Sequence, residues 1–253
     1  MPRLALLIEY VGHNFAGSQA QKDLRTVQGE LEMAIFVYLK QKVNVILSGR
    51  TDSGVHASGQ VAHIDIDADV DLKKFIWAIN GIIKNDIAVR KITPIDRSFH
   101  ARYKAIERTY TYRILNAEQR SPLKAKTHFF VRDKLNLTNM RLACQMLLGC
   151  HDFTAFKSAN SDNSTTICTI NSIELINVNE ECLELIVKAD HFVYNMMRII
   201  AGTLVQIGLN KLEPGIIEKA IMTKQRDLLG PTAPAWGLEL KAVKYPPQYN
   251  LFC

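Results

Sequence analysis

The sequence predicts an α+β protein made of two similar halves. Three observations carry this. Apolar runs of strand length alternate with stretches whose apolar residues recur at helical spacing, in an order that reads β-α-β-β-α-β twice. Apolar residues make up 47% of the 253-residue chain, enough to build the core of one large domain or two modest ones. No apolar run is long enough to span a membrane and no signal peptide opens the chain, which leaves a globular protein of the cytoplasm as the expectation.

In chain order, Leu4 to Tyr10 reads as a buried strand and Val11 to Asp23 as a loop. Thr26 is placed to cap a helix with Val27, Leu31, Ala34, Ile35 and Tyr38 on one face. Strands are predicted over Val43 to Leu47 and Val61 to Ile66. Asp69 or Asp71 starts a second helix, with Leu72, Phe75, Ile76, Ile79 and Ile83 inward, and Ile87 to Ile92 closes the first half. The second half opens on a long strand, Ala105 to Asn116. Asn136 caps a helix bearing Met140, Ala143, Cys144 and Leu147 that is expected to stop at Gly149. Ile167 to Ile176 and Cys182 to Ala189 read as an antiparallel pair. A helix follows from about Tyr194 to Ile207, Pro214 opens a shorter one, and Leu238 to Tyr245 is the last strand. The element order is the split-βαβ (ferredoxin- or RRM-like) plan. Two subdomains are therefore expected, 1–104 and 105–253, joined near Ser98 to Lys104. Their mainly antiparallel sheets are expected to abut, with a ligand cleft between them.

The chain carries 31 Lys and Arg against 25 Asp and Glu, a net +6. The charge is uneven. Arg90 to Lys134 holds 12 basic and 4 acidic residues, a balance of +8, so the remainder stands at −2. Such a segment suits either a polyanion or a solvated surface. The five cysteines, Cys144, Cys150, Cys168, Cys182 and Cys253, form no C-x-x-C pair, and Cys150-His151 lacks a second pair at ligand spacing. Neither a disulfide framework nor a metal site is indicated, and a reducing compartment fits.

Between the second and third strands lies Gly49-Arg50-Thr51-Asp52-Ser53-Gly54-Val55-His56-Ala57-Ser58-Gly59-Gln60. A polar, glycine-punctuated loop between buried strands is a common place for binding and catalytic groups. Asp52 is ionised at neutral pH in its unperturbed state, and Arg50 stands close enough in sequence to hold it so. Taken alone, the loop suits an Asx-type turn with a surface salt bridge as well as it suits a nucleophile, base or metal ligand. On Ala105 to Asn116, the alternation puts Arg108, Tyr110 and Tyr112 on one side with Ile106 and Ile114, a face fit for a pocket wall or for ordinary sheet packing.

The Gly49 stretch resembles the signature of the TruA family of tRNA pseudouridine synthases, G-R-T-D-[SA]-G-V-H followed by G-Q-V, unbroken from Gly49 to His56 and resuming at Gly59, Gln60 and Val61. Further segments resemble the family in its own order. Gly17-Ser18-Gln19-Ala20-Gln21 is similar to G-W-Q-x-Q, with Ser18 in place of tryptophan. Phe99-His100-Ala101-Arg102 matches F-H-A-R, and Arg108 to Tyr112 resembles R-[RT]-Y-x-Y. Phe192 to Gly202 resembles F-x-x-x-M-[VM]-R-x-[IL]-x-G. Thr232 to Leu238 resembles T-A-P-A-x-G-L, with Trp236 where a polar residue is more usual.

The resemblance implies that Asp52 is the catalytic residue, that Arg198 is its salt-bridge partner beside Arg50, and that Tyr110 packs against the target base. It makes Gln60, His100, Arg102 and Arg108 candidate RNA contacts, and Gly237 and Leu238 part of the pocket wall. It also implies a homodimer that binds tRNA, needs no metal or cofactor, and isomerises flipped-out uridines at about positions 38 to 40 of the anticodon arm. A synthase for another RNA position and a non-catalytic tRNA-binding module are the other readings. Asp52 beside Arg50 argues against the last, because phosphate binding has no use for a carboxylate.

Overall fold

A computed structural model of the protein describes residues 2–158 and 165–252. Among these residues the chain is α+β, with ten strands and five α-helices, and the strand pairs are mostly antiparallel. It divides into two compact units, Met1–Glu107 with Leu240–Cys253, and Arg108–Glu239.

The first unit contains β1 (Arg3–Tyr10), α1 (Val27–Leu39), β2 (Ile46–Leu47), β3 (His56–Asp65), α2 (Leu72–Ile82) and β4 (Ile87–Ile95). The strands run β4-β1-β3-β2, all antiparallel. Thr26 Oγ1 caps α1 by accepting from Gly29 N at 3.2 Å, and Asp71 caps α2 by accepting from Lys73 N and Lys74 N. β1 is a near-continuous apolar run because both of its faces are covered. Leu4, Leu6 and Ile8 are buried, while Ala5 and Val61 pack with Phe99, Ala101, Tyr245 and Tyr249 in a separate cluster.

The second unit contains β5 (Glu107–Asn116), β6 (Phe129–Val131), α3 (Leu137–Gln145), β7 (Gly149–Asp152), β8 (Ile167–Asn177), β9 (Cys182–Ala189), α4 (Met196–Gly208) and α5 (Ile216–Thr223). The strand order is β5-β9-β8-β7, antiparallel, with β6 parallel to β5. A last strand, β10 (Leu238–Lys244), begins here and from Leu240 onward belongs to the first unit. α4 is nearly all buried, which explains why its apolar residues leave almost no polar face.

Local expectations are corrected in three places. The strand predicted from Val43 is only Ile46–Leu47, because Val45 N donates to Glu32 Oε1 at 2.9 Å instead of to a ladder partner. β3 begins at His56, so the second half of the Gly49 stretch is strand. Its turn-rich composition is overridden by pairing with β1, Ile8 opposite Gln60 and Tyr10 opposite Ala57. α3 ends at Gln145, and Gly149 opens β7 instead of stopping the helix.

Candidate active site

In the first unit, the loop between β2 and β3 carries Asp52, which is half-buried. Its flanks are fixed by an uncharged network. Thr51 N donates to Ser18 Oγ at 2.8 Å, Ser18 N donates to Thr51 O at 3.0 Å, and Tyr10 OH shares a hydrogen bond of 2.7 Å with Thr51 Oγ1. Ser48 Oγ donates to Gln60 Oε1 at 2.6 Å, and Gln60 Nε2 reaches Gly49 O at 3.1 Å. Ser18 and Gln60 have no exposed surface. Burial pushes the Tyr10 hydroxyl up to about 12, so it stays neutral. Beyond Asp52 the turn closes with Val55 N donating to Asp52 O at 3.1 Å, and Ser53 Oγ donates to Phe15 O.

Two of the predicted site residues sit differently from the sequence expectation. Arg50 is exposed and makes no ion pair with Asp52; with Arg102, Gln19 and Gln28 it lines a hollow of about 230 Å³. Gln60 is a holding residue of the loop, its amide occupied at both ends. His100 shapes the turn that carries Arg102: its Nδ1 accepts from Arg102 N at 3.2 Å and Tyr103 N at 3.3 Å. Arg102 is exposed beside the Tyr103 ring.

In the second unit, Arg198 lies in the first turn of α4. Its Nε donates to Ala233 O at 2.8 Å and its Nη1 to Asn195 Oδ1 at 2.7 Å. Asn195 is preset for this by a left-handed backbone, φ 64°. The 232–238 segment is tied to the same helix, since Ala233 N donates to Arg198 O. On β5, Tyr110 is buried edge-on against Phe192, centroids 4.9 Å apart. Arg108 Nη1 donates to Asp190 O at 2.8 Å. Tyr112 OH donates to Pro234 O at 2.8 Å, and burial raises this hydroxyl well above the phenol range. Gly237 must lack a side chain, because a Cβ there would stand 2.7 Å from the Tyr112 ring. Leu238 is buried beside it in sequence.

Sequence reasoning missed Ser18, Tyr10 and Asn195. Ser18 stands where the family resemblance leads one to expect tryptophan, and its hydroxyl serves as the acceptor for Thr51 N. A Cys-His-Asp arrangement is present: Cys168 Sγ lies 3.3 Å from His191 Nε2, and His191 Nδ1 lies 2.9 Å from Asp190 Oδ1. It is not nucleophilic equipment, for burial pushes the Cys168 thiol up to about 12 and leaves no surface exposed. Among the described residues no group of three or more His, Cys, Asp or Glu is placed to hold a metal ion, the four described cysteines are free, and no helix is long and apolar enough to cross a membrane.

The first unit thus presents a half-buried carboxylate on a hydrogen-bonded loop, and the second holds its own arginine and tyrosine side chains in place. The sequence model of the family described as tRNA pseudouridine synthase matches residues 6–104 and 143–246. The tRNA pseudouridine synthase A of Acetivibrio thermocellus is 38% identical over 245 residues, covering 97% of this chain and 100% of its own. The Bacillus subtilis protein of that name is 38% identical over 245 residues, 96% of this chain and 99% of its own. The one from Lactococcus lactis is 40% identical over 248 residues, 97% and 98%. The chain belongs to the tRNA pseudouridine synthase family, and is thus an isomerase acting on uridine in RNA.

Proposed function

We propose that the enzyme converts uridines at about positions 38 to 40 of the tRNA anticodon arm to pseudouridine, after flipping the target nucleotide out of the stack at a cost of a few kcal/mol. The reaction breaks the N1–C1′ bond, turns the base and joins C5 to C1′. C5 gives up its proton and N1 takes one up, so atoms and electrons balance within the nucleotide.

Asp52 is the catalytic carboxylate in this reading. The observation that carries it is the uncharged network fixing the residue before Asp52, so that the acid is presented in one orientation. Arg198, oriented by Ala233 and Asn195, is the cation assigned to the carboxylate, and Tyr110, steadied by Phe192, is the surface for the detached base. Arg102 and the basic residues around it supply phosphate contacts that offset the cost of extrusion. The protein works in the cytoplasm as a homodimer.

The test incubates the purified protein with a uridine-labelled anticodon arm and scores the carbon-linked nucleoside by position. Asp52→Ala removes turnover, a loss of at least about a thousandfold, with RNA affinity kept within several-fold. Appreciable turnover by the variant refutes the role of Asp52. Product found only elsewhere in the tRNA refutes the assignment of position.

A further inference from the structure

The second unit has a hollow of about 580 Å³, well within the range of small-ligand sites, and the chemistry assigned above does not use it. Its lining includes Arg120, Lys124, His128, Phe130, Pro234 and Trp236, and no Asp or Glu. Trp236 is 39% exposed and Phe130 38%, so two aromatic side chains present surface to an incoming molecule.

The tryptophan is not a loose surface ring. Its Nε1 donates to His128 O at 3.1 Å, and His128 is itself tied back, its N donating to Lys124 O and its Nδ1 2.9 Å from Thr127 Oγ1. Burial and the neighbouring Arg113 and Lys124 charges hold His128 below the ordinary imidazole range, so at neutral pH it adds polarity and no charge. The cationic groups of the rim are therefore Arg120, which is exposed, and Lys124, steadied by its hydrogen bond to Cys182 Sγ at 2.8 Å.

We propose that this hollow holds an unpaired nucleotide of the RNA substrate other than the one isomerised, its base stacked on Trp236 and its phosphate met by Arg120 and Lys124. The proposal rests on the reading above only in taking the same RNA as ligand. Aromatic surface flanked by cations, with no acid in the lining, suits a single-stranded polyanion. The same lining disfavours a second copy of this chain, because two identical basic faces repel. The 232–238 segment joins the hollow to the proposed chemistry: Ala233 receives Arg198 and Gly237 accommodates Tyr112, while Pro234 and Trp236 line the hollow. A nucleotide stacked there anchors the RNA against the segment that orients Arg198. It also gives a use to a tryptophan where the family resemblance leads one to expect a polar residue.

The chain has two tryptophans, and Trp77 is 83% exposed on α2. Trp77→Phe therefore makes Trp236 the sole reporter. Its emission is expected to be quenched by an anticodon stem-loop RNA, and by a single-stranded uridine-rich oligonucleotide, in proportion to binding measured separately by filter retention. Trp236→Ala is expected to raise Kd for either RNA about tenfold, with Trp236→Phe recovering most of the loss. Arg120→Ala is expected to lower the slope of log Kd against log salt by about 1. RNA binding without quenching overturns the proposal, as does an unchanged Kd for Trp236→Ala. A change of oligomeric state in Trp236→Ala with RNA affinity intact also overturns it, and makes the hollow a contact between copies. Assaying wild-type turnover on the same RNA separates the two readings. Quenching without pseudouridine keeps the hollow and removes the proposed position or reaction, and pseudouridine without quenching does the reverse.

Discussion

Two units built on related β-α plans hold their functional segments by different means. In the first, the Asp52 loop is fastened by hydroxyls and one amide: Ser18, Tyr10, Ser48 and Gln60, all buried and none charged. In the second, the segments are fastened by guanidiniums donating to carbonyl oxygens, Arg198 to Ala233 and Arg108 to Asp190. Arg113 adds a paired contact to Glu184 and Glu239. The difference follows from what each segment carries. The first carries a carboxylate, and neutral hydroxyls and an amide fix the backbone beside it without adding charge to the loop. Cationic side chains need their charge partly answered where they are buried, and carbonyl dipoles do this without neutralising them. Both units share one device, backbone against backbone at a glycine: Gly12 against Val55 O in the first, Gly202 against Pro231 O in the second.

The strongest way to break the comparison is at that shared device. A Cβ on Gly202 would stand 1.8 Å from Pro231 O, backbone that cannot swing aside. Gly202→Ala is expected to cost about 3 kcal/mol or more by overpacking, and to displace the 232–238 segment that receives Arg198. Urea unfolding followed with both tryptophans measures it. A loss under about 1 kcal/mol would show that the segment relocates freely and that Arg198 is not oriented by it.

The acid limb of stability is the next largest effect and belongs to the first unit. Burial, then the charges of Arg3 and His100, push His63 down to about 4 despite Asp65. The ring is 4% exposed and its Nδ1 accepts from Ala101 N at 3.2 Å. Because the folded pKa lies below the unfolded value near 6.5, the unfolded chain takes up the proton first. Stability is full above about pH 6.5 and is lost as pH falls toward 4, by at most about 3 kcal/mol. His63→Asn keeps an acceptor for Ala101 N and is expected to flatten this window. A pH profile parallel to that of the wild type would mean another group titrates.

Ser18→Ala sharpens the contrast within the Asp52 loop itself. It leaves the buried Thr51 N–H without its acceptor, a penalty of roughly 1–3 kcal/mol, spent where Asp52 is positioned. The expected result is kcat lowered about tenfold, RNA Kd within about twofold, and partial rescue by Ser18→Thr. An unchanged kcat would assign the loop geometry to Tyr10 and Gln60 alone.

Much of this was legible in the sequence. Periodicity gave the strands and helices, and Thr26 and Asn136 were readable as caps because capping is local chemistry, while the second helix's cap was narrowed to Asp69 or Asp71, of which Asp71 serves. The short strands β6 and β7 were not, for three or four residues carry no period and exist only through partners elsewhere along the chain. The start of β3 was hidden for a related reason: His56 to Gln60 are turn-forming in composition and become strand by pairing with β1. At the site, the motif singles out Asp52 as the candidate carboxylate. That Arg50 is exposed and makes no ion pair with it, and that the Ser18 hydroxyl accepts from Thr51 N, are facts of geometry, which spacing does not encode.

The smallest expected effect separates contact from scaffold on the basic rim. Arg102 is exposed beside Arg50 at the 230 Å³ hollow, and its backbone N–H is held by His100 Nδ1. Arg102→Ala therefore removes the charge without opening the turn. It is expected to weaken RNA binding several-fold and to lower the salt slope by about 1, uniformly across RNA sequences, because a phosphate contact carries no sequence information. His100→Ala does the opposite in kind, stripping the acceptor from both Arg102 N and Tyr103 N and loosening the turn. Its signature is faster amide exchange at residues 101–104, with any loss of affinity following from that loosening. If Arg102→Ala leaves the salt slope unchanged while His100→Ala alone weakens binding, the rim acts through the shape of its turn and Arg102 is no phosphate contact.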